Sequence, residues 1–294
     1  MKRLALSLAA LLAACASPST DAVLAPNSNL LAQGIPPIPI ALVERVAKYT
    51  EFRGHSFVEW HPLNSEMLVA HRKAGDNTQQ IYRLAQPMAA PEQLTAGSDP
   101  VTLASWEPRA GRYVVFERSQ GGDEADQLYR LDLPSRRATL LTDPKEAHSM
   151  VGWIRATSTL LYTAVPLDRT AQGGTRPTID TTLWAVDPAQ PETSRRKVAE
   201  LPGPGWFAGG VSDDGAQVAF VRYRSANEWQ IWLIDAMSGQ SKEELPMANE
   251  TLKATHFANG FSKDGKRLYV ASDRASEFRE AMNFDLATGV LKRS

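Results

Sequence analysis

The sequence predicts an all-β chain, a β-propeller of about five four-stranded blades, on three observations. Trp60, Trp106, Trp153, Gly210 and Gly260 recur at spacings of 46, 47, 57 and 50 residues. Each of these five residues precedes a short turn and then an apolar run. Turn signals rich in Gly, Asp and Ser fall roughly every 8 to 12 residues, which suits short strands and not the helix pairs of other long repeats.

The N-terminus reads as an export signal. Lys2 and Arg3 precede a mostly apolar run, Leu4 to Leu12. That run is too short for a stable membrane span and has the form of a secretory signal. It ends in Leu12-Ala13-Ala14-Cys15, which resembles the lipobox of bacterial lipoproteins. The resemblance implies cleavage before Cys15 and lipid on its sulfur, with residues 1–14 removed. The residue that follows is Ala16 and not aspartate. By resemblance to Gram-negative lipoproteins, this implies an outer-membrane anchor facing the periplasm. The alternative is an ordinary signal peptide cut nearby. Cys15 is the only cysteine, so lipidation leaves none for a disulfide. Residues 15–34 are rich in Ala, Ser, Pro and Asn without a sustained period and read as a flexible tether. Pro36, Pro37 and Pro39 stiffen the start of the propeller domain, taken as 35–294, and Ala41 to Tyr49 form one short amphipathic helix.

From residue 50 each repeat has the same internal order. A first strand leads through a turn to the apolar run. These second strands are Met67 to Ala70, Tyr113 to Phe116, Leu160 to Thr163, Val218 to Val221 and Leu268 to Ala271. In the last two repeats the turns are Ser212-Asp213-Asp214-Gly215 and Ser262-Lys263-Asp264-Gly265, where glycine supplies the positive φ of a tight turn. Third strands follow at Gln80 to Leu84, Gln127 to Leu131, Thr182 to Val186, Gln230 to Ile234 and Met282 to Leu286. Short fourth strands lie near Gln93 to Thr95 and Leu140 to Thr142. Four strands in about 45 to 50 residues is the pattern of a propeller blade. The extra length of the third repeat maps to an insertion from Asp168 through Asp180. The recurring tryptophans read as blade-to-blade packing.

Composition excludes some functions. Hydrophobic residues make up 43% and charged residues 22% of the 294, enough apolar content for a sizeable core. The net charge of −1, with Lys and Arg scattered, gives no field to hold a nucleic acid. A nucleophile elbow needs Gly-x-Ser-x-Gly, because its sharp turn leaves no room for side chains around the serine. Ser56, Ser212 and Ser262 each follow a glycine by two residues, but Val58, Asp214 and Asp264 stand where the second glycine belongs. Ser194 to Lys197 match Ser-x-x-Lys without companion motifs. His55, His61, His71, His148 and His256 show no metal-ligand spacing, and no cofactor fingerprint occurs. The acidic trio Asp123, Glu124 and Asp126 in GGDEADQLYRLD lacks the alternating ligands and terminal glutamate of a calcium loop, so it reads as a loop of blade two running into its third strand. Glu277 and Arg279, on a loop between second and third strands, are the candidate contacts for the charged ends of a peptide.

Several stretches taken together resemble one family. Gly34-Ile35-Pro36-Pro37-Ile38-Pro39, Tyr49-Thr50-Glu51-Phe52-Arg53, Glu59-Trp60-His61-Pro62, GGDEADQLYRLD with Leu140-Leu141-Thr142-Asp143, and Ser272 to Phe278 run in the family's order. The chain resembles the N-terminal TolB-like β-propeller of bacterial secreted prolyl oligopeptidase family serine peptidases. The resemblance implies a propeller that caps an α/β-hydrolase domain with a Ser-Asp-His triad and restricts access to peptide-sized substrates. That domain is not among the 294 residues, so no catalytic residue carries over. The expectation is a non-catalytic, substrate-gating propeller, exported as a lipoprotein, inactive alone and without a cofactor. The alternative is a free-standing TolB-like periplasmic module that binds a protein or peptide. Two forms of the ring are open: five blades that close on themselves, or part of a larger propeller from a truncated gene product, which the family's further blades favour.

Overall fold

The structure is a computed structural model, and it describes residues 22–168, 170–171, 174–175, 179–246 and 252–294. The signal segment, Cys15 and part of the 168–180 insertion lie outside the described residues. The chain divides into two compact units, Met1–Gly54 and His55–Ser294.

In the first unit Val23 forms an antiparallel bridge with Pro39. The Leu24 N–H donates to the Ile38 carbonyl at 2.8 Å, and the Ile40 N–H to the Ala22 carbonyl at 2.7 Å. Residues 22–24, inside the stretch read as a tether, therefore pair with the proline-rich segment. The helix spans Ile40–Thr50 after Pro39, whose missing N–H is one that a helix start leaves unpaired in any case. Lys48 in its last turn complements the helix dipole, and none of its residues is buried. Among the described residues no helix is long and apolar enough to cross a membrane.

The second unit is a β-propeller of five four-stranded antiparallel sheets. Blade 1 comprises His55–Trp60, Met67–His71, Gln80–Leu84 and Glu92–Gln93; blade 2 comprises Ala104–Trp106, Tyr113–Arg118, Gln127–Asp132 and Arg137–Leu140. Blade 3 comprises Glu146–Ile154, Thr159–Pro166, Thr181–Val186 and Arg196–Leu201. Blade 4 comprises Trp206–Val211, Gln217–Ser225, Glu228–Asp235 and Ser241–Leu245, and blade 5 His256–Phe261, Arg267–Ser272, Glu280–Asp285 and Val290–Arg293. Inside the blade-3 insertion, Thr170–Ala171 pairs with Gly174–Thr175.

The central blades bury both faces of their second strands, which is why those strands read as unbroken apolar runs. In blade 2, Val114 and Phe116 join Leu68, Ile81 and Trp106 in the seam with blade 1. Tyr113 and Val115 point the other way, to Trp153, Leu160 and Tyr162 of blade 3. Leu161, Leu183, Trp206 and Phe220 fill the seam between blades 3 and 4. Val221, Ile231, Leu268 and Phe284 fill that between blades 4 and 5. Each such side chain, fully buried, stabilises the fold by about 1.5–3 kcal/mol.

Four seams thus join five blades, and among the described residues no fifth apolar cluster joins blade 5 to blade 1. The second strand of blade 5 shows the consequence. Leu268 and Val270 are buried against blade 4 and Ser272 is buried too, while Arg267 and Tyr269 alternate with them and are exposed. That is the period-2 pattern of a sheet with one solvated face.

The turns follow their chemistry. Gly215 and Gly265 have φ of +73° and +68°. The Ser212 hydroxyl donates to Asp214 at 2.6 Å and accepts from the Gln217 N–H at 2.9 Å. Ser262 does the same with Asp264 at 2.6 Å and the Arg267 N–H at 3.0 Å. Both serines are therefore engaged in closing their turns.

Candidate functional site: two cavities that share Arg155

First strands pack on one another between blades 1 and 2, 3 and 4, and 4 and 5. Each is also the edge of its sheet, with one row of backbone groups that the ladder leaves unpaired. Two of those groups are satisfied by a carboxylate from the preceding blade. Glu59 accepts the Trp106 N–H at 2.7 Å, and Glu117 accepts the Met150 N–H at 2.5 Å. Burial raises the pKa of both carboxyls. For Glu117, where the charge of Asp126 adds to burial and the Met150 bond only partly opposes them, it reaches about 7.

The close approach of first strands explains why the repeat column changes from tryptophan to glycine. Gly210 has φ of +123° and Gly260 of +111°, at bulges in their strands. A Cβ on Gly210 would lie 3.1 Å from the Gly260 Cα. One on the neighbouring Gly209 would lie 2.6 Å from the Ala258 Cβ. The three tryptophans are not equivalent either. Trp106 and Trp153 are buried in seams, as blade-to-blade packing requires, but Trp60 is 55% exposed with its ring 5.6 Å from that of Phe57.

Two cavities open at the end of the first strands where the chain turns into the second strands. One, of about 350 Å³, is lined by Phe57, Glu59, Trp60, Trp106 and Arg155 among others. The second, of about 540 Å³, is lined by Trp153, Arg155, Val211, Asp213, Phe261 and Lys263 among others. All five blades contribute, and Arg155 belongs to both cavities. It opens the 3-10 turn Arg155–Thr157 that links the first two strands of blade 3. The side chain is exposed, and among the described residues it makes no ion pair. Nothing in the local sequence marks this arginine; only its place in both cavities does.

The candidates singled out from the sequence lie elsewhere. Glu277 and Arg279 sit on the loop after the second strand of blade 5, at the opposite end of the strands from Arg155. Glu277 is exposed. The Arg279 guanidinium lies 5.0 Å from the centre of the Trp229 ring and its Nε donates to the Thr255 hydroxyl at 3.1 Å. The Ser194 hydroxyl donates to the Gln190 carbonyl at 2.7 Å and accepts the Asp187 N–H at 2.9 Å.

In GGDEADQLYRLD, Gly121 and Gly122 take φ of +63° and +77°, and Asp123 accepts the N–H groups of Gln120 and Ala125, each at 3.1 Å. The Gln127 side chain donates to the Glu146 carbonyl at 2.6 Å and accepts from the Thr142 hydroxyl at 2.9 Å. Among the described residues no group of three or more His, Cys, Asp or Glu side chains gathers to hold a metal ion.

Two histidines are buried. Burial lowers the pKa of His148 to about 4, with its Nε2 3.5 Å from a Glu146 oxygen. His256 Nδ1 lies 3.0 Å from the Ser272 hydroxyl, a serine–histidine contact that sequence reasoning missed because no motif links residues on adjacent strands. Ser272 is 0% and His256 1% exposed, so a substrate does not reach this pair.

No protein-family model matches the chain, and no curated protein matches it. Solved structures do share its fold. A prolyl endopeptidase superposes with a TM-score of 0.64 at 14% identity, over 85% of this chain and 38% of that one. An oligogalacturonate lyase in complex with manganese gives 0.58 at 16% identity, over 81% and 66%. TolB from Acinetobacter baumannii gives 0.50 at 14% identity, over 86% and 57%. The chain spans less than two thirds of each, and at these identities the likeness shows the fold alone.

Proposed function

We propose that this propeller is a non-catalytic, peptide-admitting domain of the kind that screens substrates for a serine peptidase. The observation that carries the reading is the mouth itself, where exposed Phe57 and Trp60 line one cavity, first-strand residues of blades 3, 4 and 5 line a second, and exposed Arg155 belongs to both. Edge strands offer backbone hydrogen bonds to an extended peptide, and exposed aromatics offer it apolar contact. The described serine–histidine contact is sealed from solvent, and Ser212 and Ser262 hold turns. The likeness to the prolyl endopeptidase propeller supports the class of partner. Export with a lipid on Cys15, to the periplasmic face of the outer membrane, belongs to the same proposal and rests on the N-terminal sequence.

One preparation tests both parts. The full-length protein, produced in a Gram-negative host, is labelled with a fluorophosphonate probe and, separately, with a palmitate analogue. The fluorophosphonate is expected to leave every serine unmodified, and palmitate is expected to appear on the protein but not on its Cys15→Ser variant. A specific serine adduct would overturn the non-catalytic reading, and palmitate retained by the variant would remove the lipoprotein.

A further inference from the structure

We propose that the mouth around Arg155 binds a single carboxylate on an extended peptide, beside an apolar side chain received by Phe57 and Trp60. This rests on the peptide-admitting reading above and names the chemistry of its ligand.

Arg155 is the residue common to the two cavities, of about 350 and 540 Å³, so a ligand that extends from one to the other passes its guanidinium. Both volumes lie in the range of clefts that bury a small organic ligand or its equivalent in side chains. Among the described residues the guanidinium has no ion-pair partner, which leaves its donor fork available. Glu59 is the carboxylate whose field it shares, but Glu59 is already occupied by the Trp106 N–H at 2.7 Å and shielded by burial. A guanidinium fork matches a carboxylate in two parallel hydrogen bonds, and that is its strongest form of recognition.

The rest of the lining sets how much negative charge the mouth accepts. Lys263 adds one exposed cation, and Asp213 in the same cavity adds one exposed anion. With Glu59 counted, the two cations and two carboxylates of the mouth balance, and a polyanion such as an acidic oligosaccharide would bring Asp213 and Glu59 into repulsion. A single carboxylate avoids this. On the other side of Arg155 the cavity presents Phe57 and Trp60, 56% and 55% exposed, whose faces gain by covering an apolar side chain. An apolar residue next to one carboxylate satisfies both halves.

Two sources supply that chemistry, a peptide's C-terminus or an Asp or Glu side chain, and the test separates them. The full-length protein is titrated into fluorescein-labelled Ala-Pro-Ala-Leu-Phe, into its C-terminal amide, and into an amide with Glu before the last residue, following fluorescence anisotropy. The free acid is expected to bind about tenfold more tightly than the plain amide. Arg155→Gln, at an exposed position, is expected to fold normally by circular dichroism and to abolish that difference. Trp60→Ala is expected to weaken acid and amide alike. Recovery of affinity by the Glu-bearing amide assigns the site to side-chain carboxylates, and its absence assigns it to C-termini. Equal binding of acid and amide, or a preference that survives Arg155→Gln, would overturn the carboxylate site and leave the peptide-admitting reading standing. If neither peptide binds, the peptide-admitting reading itself falls. Displacement of the acid by tri-galacturonate at lower concentration than by unlabelled peptide would also overturn the proposal.

Discussion

Glu117 shows how single residues bind one blade to the next. Its carboxylate accepts the Met150 N–H at 2.5 Å from the edge strand of blade 3, and burial raises its pKa from an ordinary 4.5 to about 7. A carboxyl raised in the folded state contributes stability that is complete below its unfolded value and lost as pH rises through the folded one. The window for Glu117 is therefore about pH 4.5 to 7. Glutamine keeps the accepting oxygen and cannot ionise. Glu117→Gln is thus expected to be more stable than the native protein at pH 8, by about 2 kcal/mol, and to lose that advantage at pH 4.5. Thermal melts at the two pH values check this, and a variant less stable at pH 8 would show that the charge itself supports the seam. His148 acts in the opposite sense. Lowered to about 4, it contributes stability present above its unfolded value near 6.5 and lost as pH falls through 4. Neither role was legible in the sequence, since both depend on what the neighbouring blade brings to the side chain. Arg155 was missed for the same reason.

At the scale of elements, much was legible. The second strands of blades 2 to 4 announced themselves as apolar runs because seams on both sides bury both of their faces, whereas the second strand of blade 5 exposes Arg267 and Tyr269. The fourth strands were placed less well. Thr95 and Thr142, read as strand residues, lie just beyond strands that end at Gln93 and Leu140. Their hydroxyls instead accept the N–H groups of Ile81 and Leu128, at 2.9 and 3.1 Å, and donate to Gln80 and Gln127. This Gln–Thr pairing ties the ends of two blades and explains a recurrence that strand patterning alone did not. The glycines of blades 4 and 5 make a sharper prediction. A methyl group on Gly209 would meet the Ala258 Cβ at 2.6 Å and the Ala219 carbonyl oxygen at 3.1 Å. Gly209→Ala is expected to cost about 1–3 kcal/mol by overpacking, and adding Ala258→Gly to recover part of it. Urea unfolding of the two single variants and the double variant measures the coupling, and strict additivity would contradict the close approach of these strands.

For the whole molecule, the number of blades was legible from the repeat period, but how they close was not. Ring closure depends on whether the free face of the last blade is apolar, and blade 5 keeps Arg267 and Tyr269 exposed on it. Among the described residues, four apolar seams join the five blades in chain order. The first strands of blades 1 and 2 and of blades 3 to 5 line the two cavities that share Arg155, and an extended peptide is proposed to lie there. Photo-crosslinking a benzophenone-bearing pentapeptide to the full-length protein, with the adducts mapped by mass spectrometry, decides whether it does. Adducts are expected on Phe57, Trp60 and the neighbours of Arg155, with competition by unlabelled peptide. Adducts confined to outer strands, or insensitive to that competition, would contradict it.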